Sequence, residues 1–231
     1  VPIQPAYTGS GPGTTAAAEG RVEIGISSRA LKTDDAVEKT LQSQVLCLDG
    51  ISVVVNKNAA LGQEGVSKTD LVNIYTVAGT NLGSVVAALR RESGSGTRDG
   101  FQSALDIDDE DLITSQGFDE FTSTGALKTA IADNDAGTMI GYISMASVDD
   151  TVVALPYDDE DPDNGTGYID ATPENVVNGS YGLSRPFVIC YKNYDDLSDV
   201  AKEFIEFMMS EEGQKICEEE GGISEILAEA K

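Results

Sequence analysis

The stretch Leu89-Arg-Arg-Glu-Ser-Gly-Ser-Gly-Thr-Arg-Asp-Gly-Phe101 decides how the chain is read. An apolar run, Val85 to Leu89, suits a short buried strand and ends in a glycine-serine turn. From Thr97 the pattern suits a helix whose apolar positions include Phe101, Ala104 and Leu105. A strand, a tight turn and a helix N-terminus together form an anion cradle, because the first amides of a helix lack intrahelical partners and the helix dipole places partial positive charge there. Ser95 and Thr97 add hydroxyl donors, Gly94 and Gly96 permit close backbone approach, and Arg91 brings a planar fork suited to tetrahedral oxyanions. An ordinary turn with an N-cap serine accounts for Ser93-Gly-Ser-Gly-Thr97 equally well. A nucleotide P-loop does not, since no Gly-Lys-Ser/Thr follows at the required spacing.

Two more hydroxyl-rich turns lie upstream. Val1 to Tyr7 carries two prolines and suits one short extended segment. Thr8-Gly-Ser-Gly-Pro-Gly-Thr14 then forms a turn ahead of the alanine-rich, helix-favouring residues Thr14 to Glu19. Arg21 to Ile26 alternates through Val22, Ile24 and Ile26, a strand pattern that runs into Ser27-Ser28-Arg29. Residues 33–43 read as a charged amphipathic helix, and Val45 to Val55 is apolar apart from Asp49, Gly50 and Ser52. An aspartate in such a run is costly to bury unless it is paired or binds something; a strand-end aspartate open to water is the alternative.

Further along, a helical piece is expected around Leu71, Ile74 and Tyr75, a helix over Thr124 to Ala132, and strands over Met139 to Ser144 and Leu183 to Tyr191. The last element reads as one amphipathic helix from Ser198 to about Glu220, with Val200, Phe204, Ile205, Phe207, Met208, Ile216 and Cys217 toward a core. Asp106, Asp108 and Asp111 lack the glycine and terminal glutamate of a calcium loop and read as a solvated face or cap. Asp158 to Asp163 reads as a hairpin or surface loop. Strands alternating with helices imply an α/β protein with its site at the strand ends. Two apolar segments, Ile51 to Val55 and Phe187 to Tyr191, bracket the middle of the chain, as two hinge strands between lobes would.

Composition narrows the function. The 231 residues are 40% hydrophobic, enough for one large domain or two modest lobes. With 40 acidic against 15 basic residues, no histidine and a net charge of -25, nucleic acid and anionic membranes are excluded as partners. Any anion site must then work through local donors. No apolar run approaches the ~20 residues of a membrane span, and no signal-peptide pattern opens the chain, which reads as a soluble mature segment. Cys47, Cys190 and Cys217 have no metal-ligand spacing, so no metal is expected; buried thiols are the default, and an exported protein could pair two of the three.

Taken together and in order, the pieces Gly9-Ser-Gly-Pro-Gly-Thr14, Val22-Glu-Ile-Gly-Ile-Ser-Ser-Arg29, Asp49-Gly-Ile-Ser-Val-Val-Val-Asn56, Arg91-Glu-Ser-Gly-Ser-Gly-Thr-Arg98, Ser123-Thr-Gly-Ala126, Ile140-Gly-Tyr-Ile-Ser144, Tyr181 through Arg185-Pro186, and Ser210-Glu-Glu-Gly-Gln-Lys215 resemble the phosphate-binding component of the phosphate ABC transporter, the PstS-type solute-binding protein. The resemblance implies a two-lobed, periplasmic-binding-protein-like (type II) α/β fold with two crossing hinge strands. Lobe one would hold residues 1–54 and 187–231, and lobe two residues 55–186. It implies capture of inorganic phosphate in an interlobe cleft and delivery to a membrane permease, with no catalysis and no cofactor, outside the cytoplasm, either periplasmic or as a cell-surface lipoprotein.

The ligand-binding set it implies is Ser10, Gly11, Ser28 and Asp49 from lobe one, and Arg91, Ser95, Gly96 and Thr97 from lobe two. Ser28 stands where many members carry the aspartate that accepts the phosphate proton, so Asp49 is the expected acceptor and Ser28 a donor. The family also opens with a strand, a ligand-binding loop and a helix ahead of the piece that begins here near Val1, so one set of donors is expected to be missing from these residues. Three competing readings remain. Receptors for sulfate, molybdate or tungstate would need a donor-only site, whereas a buried acceptor favours protonated phosphate. A hydrolase using Ser95 or Ser10 would need a base other than histidine. An adhesion role predicts no anion binding.

Overall fold

The computed structural model describes residues 3–6, 9–113, 119–162 and 167–229. In chain order the elements are α1 (Ser10–Ala18), β1 (Gly25–Ser27), β2 (Gln42–Val55), β3 (Val66–Ser67), α2 (Lys68–Thr76), β4 (Ala87–Ala88), β5 (Arg90–Arg91), α3 (Gly96–Leu105), β6 (Glu120–Phe121), α4 (Thr124–Ala132), β7 (Met139–Ser144), β8 (Val153–Leu155), β9 (Tyr157–Asp158), α5 (Pro173–Val177), β10 (Ser184–Tyr191), α6 (Asp199–Met209), α7 (Glu211–Glu219) and α8 (Glu225–Glu229). The chain divides into two compact units, one of Val1–Asp49 with Arg185–Lys231 and one of Gly50–Ser184, and it passes from one to the other within β2 and at the start of β10.

In the first unit β10 lies between β1 and β2. β1 pairs with it antiparallel, Gly25 opposite Cys190 and Ser27 opposite Val188. Ile189, Tyr191, Leu197, Ala201 and Ile205 form its core, with Ile24, Leu46 and Met208 packed against them. The strand expected over Arg21 to Ile26 is only Gly25–Ser27, and its burial does not follow the apolar alternation: Gly25 and Ser27 are buried, Ile24 is half-buried, and Val22 and Ile26 stand exposed. Close packing of α1 on β1 explains this. A Cβ at Gly25 would sit 2.8 Å from the Gly13 carbonyl oxygen and 2.9 Å from Cys190 Sγ, so only the smallest residue fits there.

Two helix expectations also fail here. Residues 33–43 hold a 3-10 turn, Glu38–Thr40, and the start of β2 in place of a helix, because the Asp35 carboxylate accepts from the amides of Val37 and Glu38 and so competes with helical bonding. The helix expected from Ser198 to Glu220 is two helices. Ser210 ends α6 by donating its amide to the Phe207 carbonyl and caps α7 by accepting from the Gly213 amide. Val200, Phe207 and Ile216, expected toward a core, are exposed.

In the second unit β2 pairs antiparallel with β7 and β8, and β7 pairs in parallel with β4. Val54, Leu89, Leu127, Ile131, Ile143 and Val152 make the core under α4. The helix at 124–132 and the strand at 139–144 fall where the sequence puts them. The strand expected over Val85 to Leu89 shrinks to Ala87–Ala88; Val86 is exposed, and the chain then changes ladder so that Arg90 and Arg91 pair with Glu120 and Phe121. Beneath α3, the rings of Phe101 and Tyr142 stack at 4.0 Å, and Tyr75 meets Phe101 edge-on at 5.1 Å. Asp106 ends α3 in the left-handed conformation (φ 56°), and Asp111 accepts from the Asp108 amide, so this acidic stretch is a cap and turn. Parts of three expected segments (Val1 to Tyr7, the start of the Thr8 turn, and Asp163) lie outside the described residues.

Candidate functional site

In the first unit the Gly-Ser-Gly-Pro-Gly segment is already helical. α1 begins at Ser10 behind Gly9, whose φ of 85° suits glycine, and no side chain among the described residues caps it. The amides of Ser10 and Gly11 head the helix, and Pro12 has none to satisfy. Ser28, just past the last β1–β10 pair, lies at this helix end: its amide donates to Ser10 Oγ at 3.0 Å, and the two hydroxyls are 3.1 Å apart. Ser10, Gly11 and Ser28 are therefore brought together.

A residue absent from the expected set holds this arrangement. Glu38 is buried and takes Arg29 Nη1 at 2.8 Å, Arg29 Nη2 at 2.7 Å, the Lys32 amide at 2.7 Å and Thr14 Oγ1 at 3.0 Å. The Arg29 fork, followed by the Lys32 amide and the Thr14 hydroxyl, outweighs burial and holds the Glu38 carboxyl down at about 2. Thr14 is on α1 and Arg29 follows Ser28, so this carboxylate ties the serine-bearing loop to the helix.

Asp49 is buried too, and its Oδ2 accepts from Arg185 Nε at 3.0 Å and Nη2 at 2.8 Å. Of the two alternatives open for an aspartate in an apolar run, pairing is what the structure shows. The Arg185 guanidinium also lies 5.1 Å from the centre of the Phe187 ring, and its Nη1 is buried with no hydrogen-bond partner among the described residues. The sequence marked Arg185-Pro186 without assigning the arginine a role.

In the second unit Ser95 caps α3, its Oγ accepting from the Arg98 amide at 3.4 Å and its carbonyl from the Asp99 amide at 2.9 Å. The Gly96 and Thr97 amides are left at the helix head, where the dipole favours negative charge. Arg91, on β5, is held on three sides: Nε and Nη2 donate to Glu92 at 2.8 and 3.0 Å, and Nη1 to Thr124 Oγ1 at 2.7 Å. Its backbone amide donates to the Tyr142 hydroxyl at 3.2 Å. Two of the five guanidinium N–H groups have no partner among the described residues. The Arg91 fork in turn holds the Glu92 carboxyl below the usual range. Arg98, the second arginine of the motif, faces away from this role: it donates to the Arg91 carbonyl, Glu120 and Asp109, and buttresses Arg91 from behind. Arg91, Ser95, Gly96 and Thr97 thus form one donor set.

Each unit presents a helix N-terminus flanked by serines, an arrangement that fits anion capture through neutral donors. The chain belongs to the PBP superfamily, whose domain model matches residues 1–212. Among solved structures it is similar to an ABC-type phosphate transport receptor from Vibrio cholerae (29% identity, TM-score 0.78, covering 94% of this chain and 85% of that one). It is also similar to a putative phosphate ABC transporter substrate-binding protein with bound phosphate from Clostridium perfringens (35% identity, TM-score 0.70, 94% and 84%). Among curated proteins it is 29% identical over 168 residues to phosphate-binding protein PstS 2 of Streptococcus pneumoniae serotype 4, covering 68% of this chain and 52% of the relative. The chain thus spans about half the length of that relative. These matches bear out the resemblance to PstS-type proteins and the periplasmic-binding-protein-like α/β class.

Proposed function

We propose that this chain captures inorganic phosphate as the solute-binding component of an ABC transporter, outside the cytoplasm, and delivers it to a membrane permease. The observation that carries the reading is the donor set at the head of α3. There two helix amides, the Ser95 and Thr97 side chains and a pre-positioned Arg91 share one strand-turn-helix, in a chain 35% identical to a receptor solved with phosphate. Ser10, Gly11 and Ser28 supply the second set. A serine hydrolase is disfavoured. Ser10 shares hydrogen bonds with Ser28, Ser95 Oγ takes the Arg98 amide, and the chain holds no histidine to serve as base.

Asp49 is the acceptor in this reading. Phosphate at neutral pH carries a proton and sulfate does not, so an acceptor-only carboxylate favours the first. The ion pair with Arg185 keeps that carboxylate in place but offsets part of its charge, so it rejects sulfate less than a lone carboxylate would. That is the observation favouring a broader oxyanion receptor as the second reading. Calorimetry with phosphate and sulfate separates the two, run on the wild type and on Asp49→Asn. A phosphate preference that narrows in the variant supports the assignment. An unchanged ratio moves the acceptor elsewhere, and absence of heat with either anion sinks the reading.

A further inference from the structure

We propose that Cys47 and Cys217 are a disulfide site that fastens the two sequence-distant parts of the first unit to each other. Cys47 lies on β2 and is buried; Cys217 lies on α7 and is half-buried. After α7 the chain returns along β2: Leu48 and Ile223 exchange both backbone hydrogen bonds, at 2.8 and 2.7 Å, and the Gly222 amide donates to the Cys217 carbonyl at 2.7 Å. Gly222 is what lets the two meet. A Cβ on it would lie 2.9 Å from Cys47 Sγ and 3.0 Å from the Cys217 carbonyl oxygen, so any larger residue would fill the space beside Cys47. In this space the Cys47 and Cys217 side chains are near enough to influence one another. Cys190 takes no part: it lies on β10 opposite Gly25, with its Sγ against the Gly25 backbone.

The chemistry is thiol–disulfide exchange with a small disulfide R–S–S–R such as oxidised glutathione. The more accessible Cys217, as thiolate, attacks one sulfur of the reagent and expels R–S⁻, leaving Cys217 joined to R. Cys47, as thiolate, attacks Cys217 Sγ and expels the second R–S⁻. One S–S bond breaks and one forms, two electrons pass to the reagent, and the two cysteine protons go to the two released thiolates. An extracytoplasmic setting supplies such oxidants. The loop closed between the two cysteines contains the whole second unit, residues 50–184, so the bond would join the flanking parts of the chain without passing through it.

The test uses the whole chain treated with oxidised glutathione and then denatured with a thiol-blocking reagent. The expected result is one labelled thiol in place of three, and a peptide map joining Cys47 to Cys217. Reduction should then lower the melting temperature by at least about 5 °C, as loss of a long-loop cross-link does. In Cys217→Ser the melting temperature should not respond to redox conditions. Three labelled thiols after oxidation, a cross-link that includes Cys190, or a melting temperature indifferent to reduction in the wild type would each overturn the proposal. Phosphate binding enters none of these readouts.

Discussion

Replacing Glu38 by glutamine tests how the first donor set is held. The carboxylate collects four hydrogen bonds, two of them from the Arg29 fork, and its pKa falls from an ordinary 4.5 to about 2. At 1.36 kcal/mol for each tenfold change, that displacement is worth roughly 3 kcal/mol to the folded state. Because the folded-state value is the lower one, this contribution is present above the unfolded value and is lost as pH falls from about 4.5 toward about 2. Glu38→Gln keeps the shape but carries no charge, and it places an amide group where only an acceptor is wanted. The variant should unfold about 2–3 kcal/mol more easily at pH 7 and about equally near pH 2. Urea unfolding of both proteins at a series of pH values gives the difference directly, and the remaining carboxylates largely cancel in it. Phosphate affinity should fall as well, since Ser28 loses its anchor to α1. Stability curves that run parallel from pH 7 to pH 2.5 would refute the argument, because they would mean that Glu38 gains nothing from its partners.

Arg91→Ala should weaken phosphate binding at least tenfold in calorimetry while leaving the melting curve close to wild type, since a charge-assisted hydrogen bond is worth roughly 1.5–3 kcal/mol; an unchanged dissociation constant would remove Arg91 from the site. Arg185→Met should cost about 3–5 kcal/mol of stability by removing the ion-pair partner of the buried Asp49, and adding Asp49→Asn should restore most of it; a double variant no better than the single one would show that the pair is not the cause. With a net charge of -25 the protein as a whole repels phosphate, so stopped-flow association should quicken as sodium chloride rises. A rate that falls with salt would point to a local basic field at the site.

Locally encoded elements were legible in the sequence. The helix at 124–132 announces itself through Ser123, whose hydroxyl accepts from the Ala126 amide, and α2 through the Ser67/Asp70 capping box. The α3 cradle could likewise be read from Ser95 and its glycines. What stayed hidden depends on partners far along the chain. Asp49 and Arg185 are 136 positions apart, and nothing near either marks the other. Glu38 read as one more charge on a helix face because its main partners, Arg29 and Thr14, come from a loop and a different helix. At the strand around Gly25 the apolar alternation does not mark the buried face, since Val22 and Ile26 are exposed and the space left by α1 admits only glycine at 25.

The three bonds that hold the Arg91 side chain have a thermodynamic consequence for any anion it meets. A free arginine must give up its rotamer freedom when it grips a ligand, at about 0.5–1.5 kcal/mol for a side chain of this kind. Here Glu92 and Thr124 have already removed that freedom during folding. Association therefore incurs no such penalty at this residue, and its part of the binding energy should appear as enthalpy.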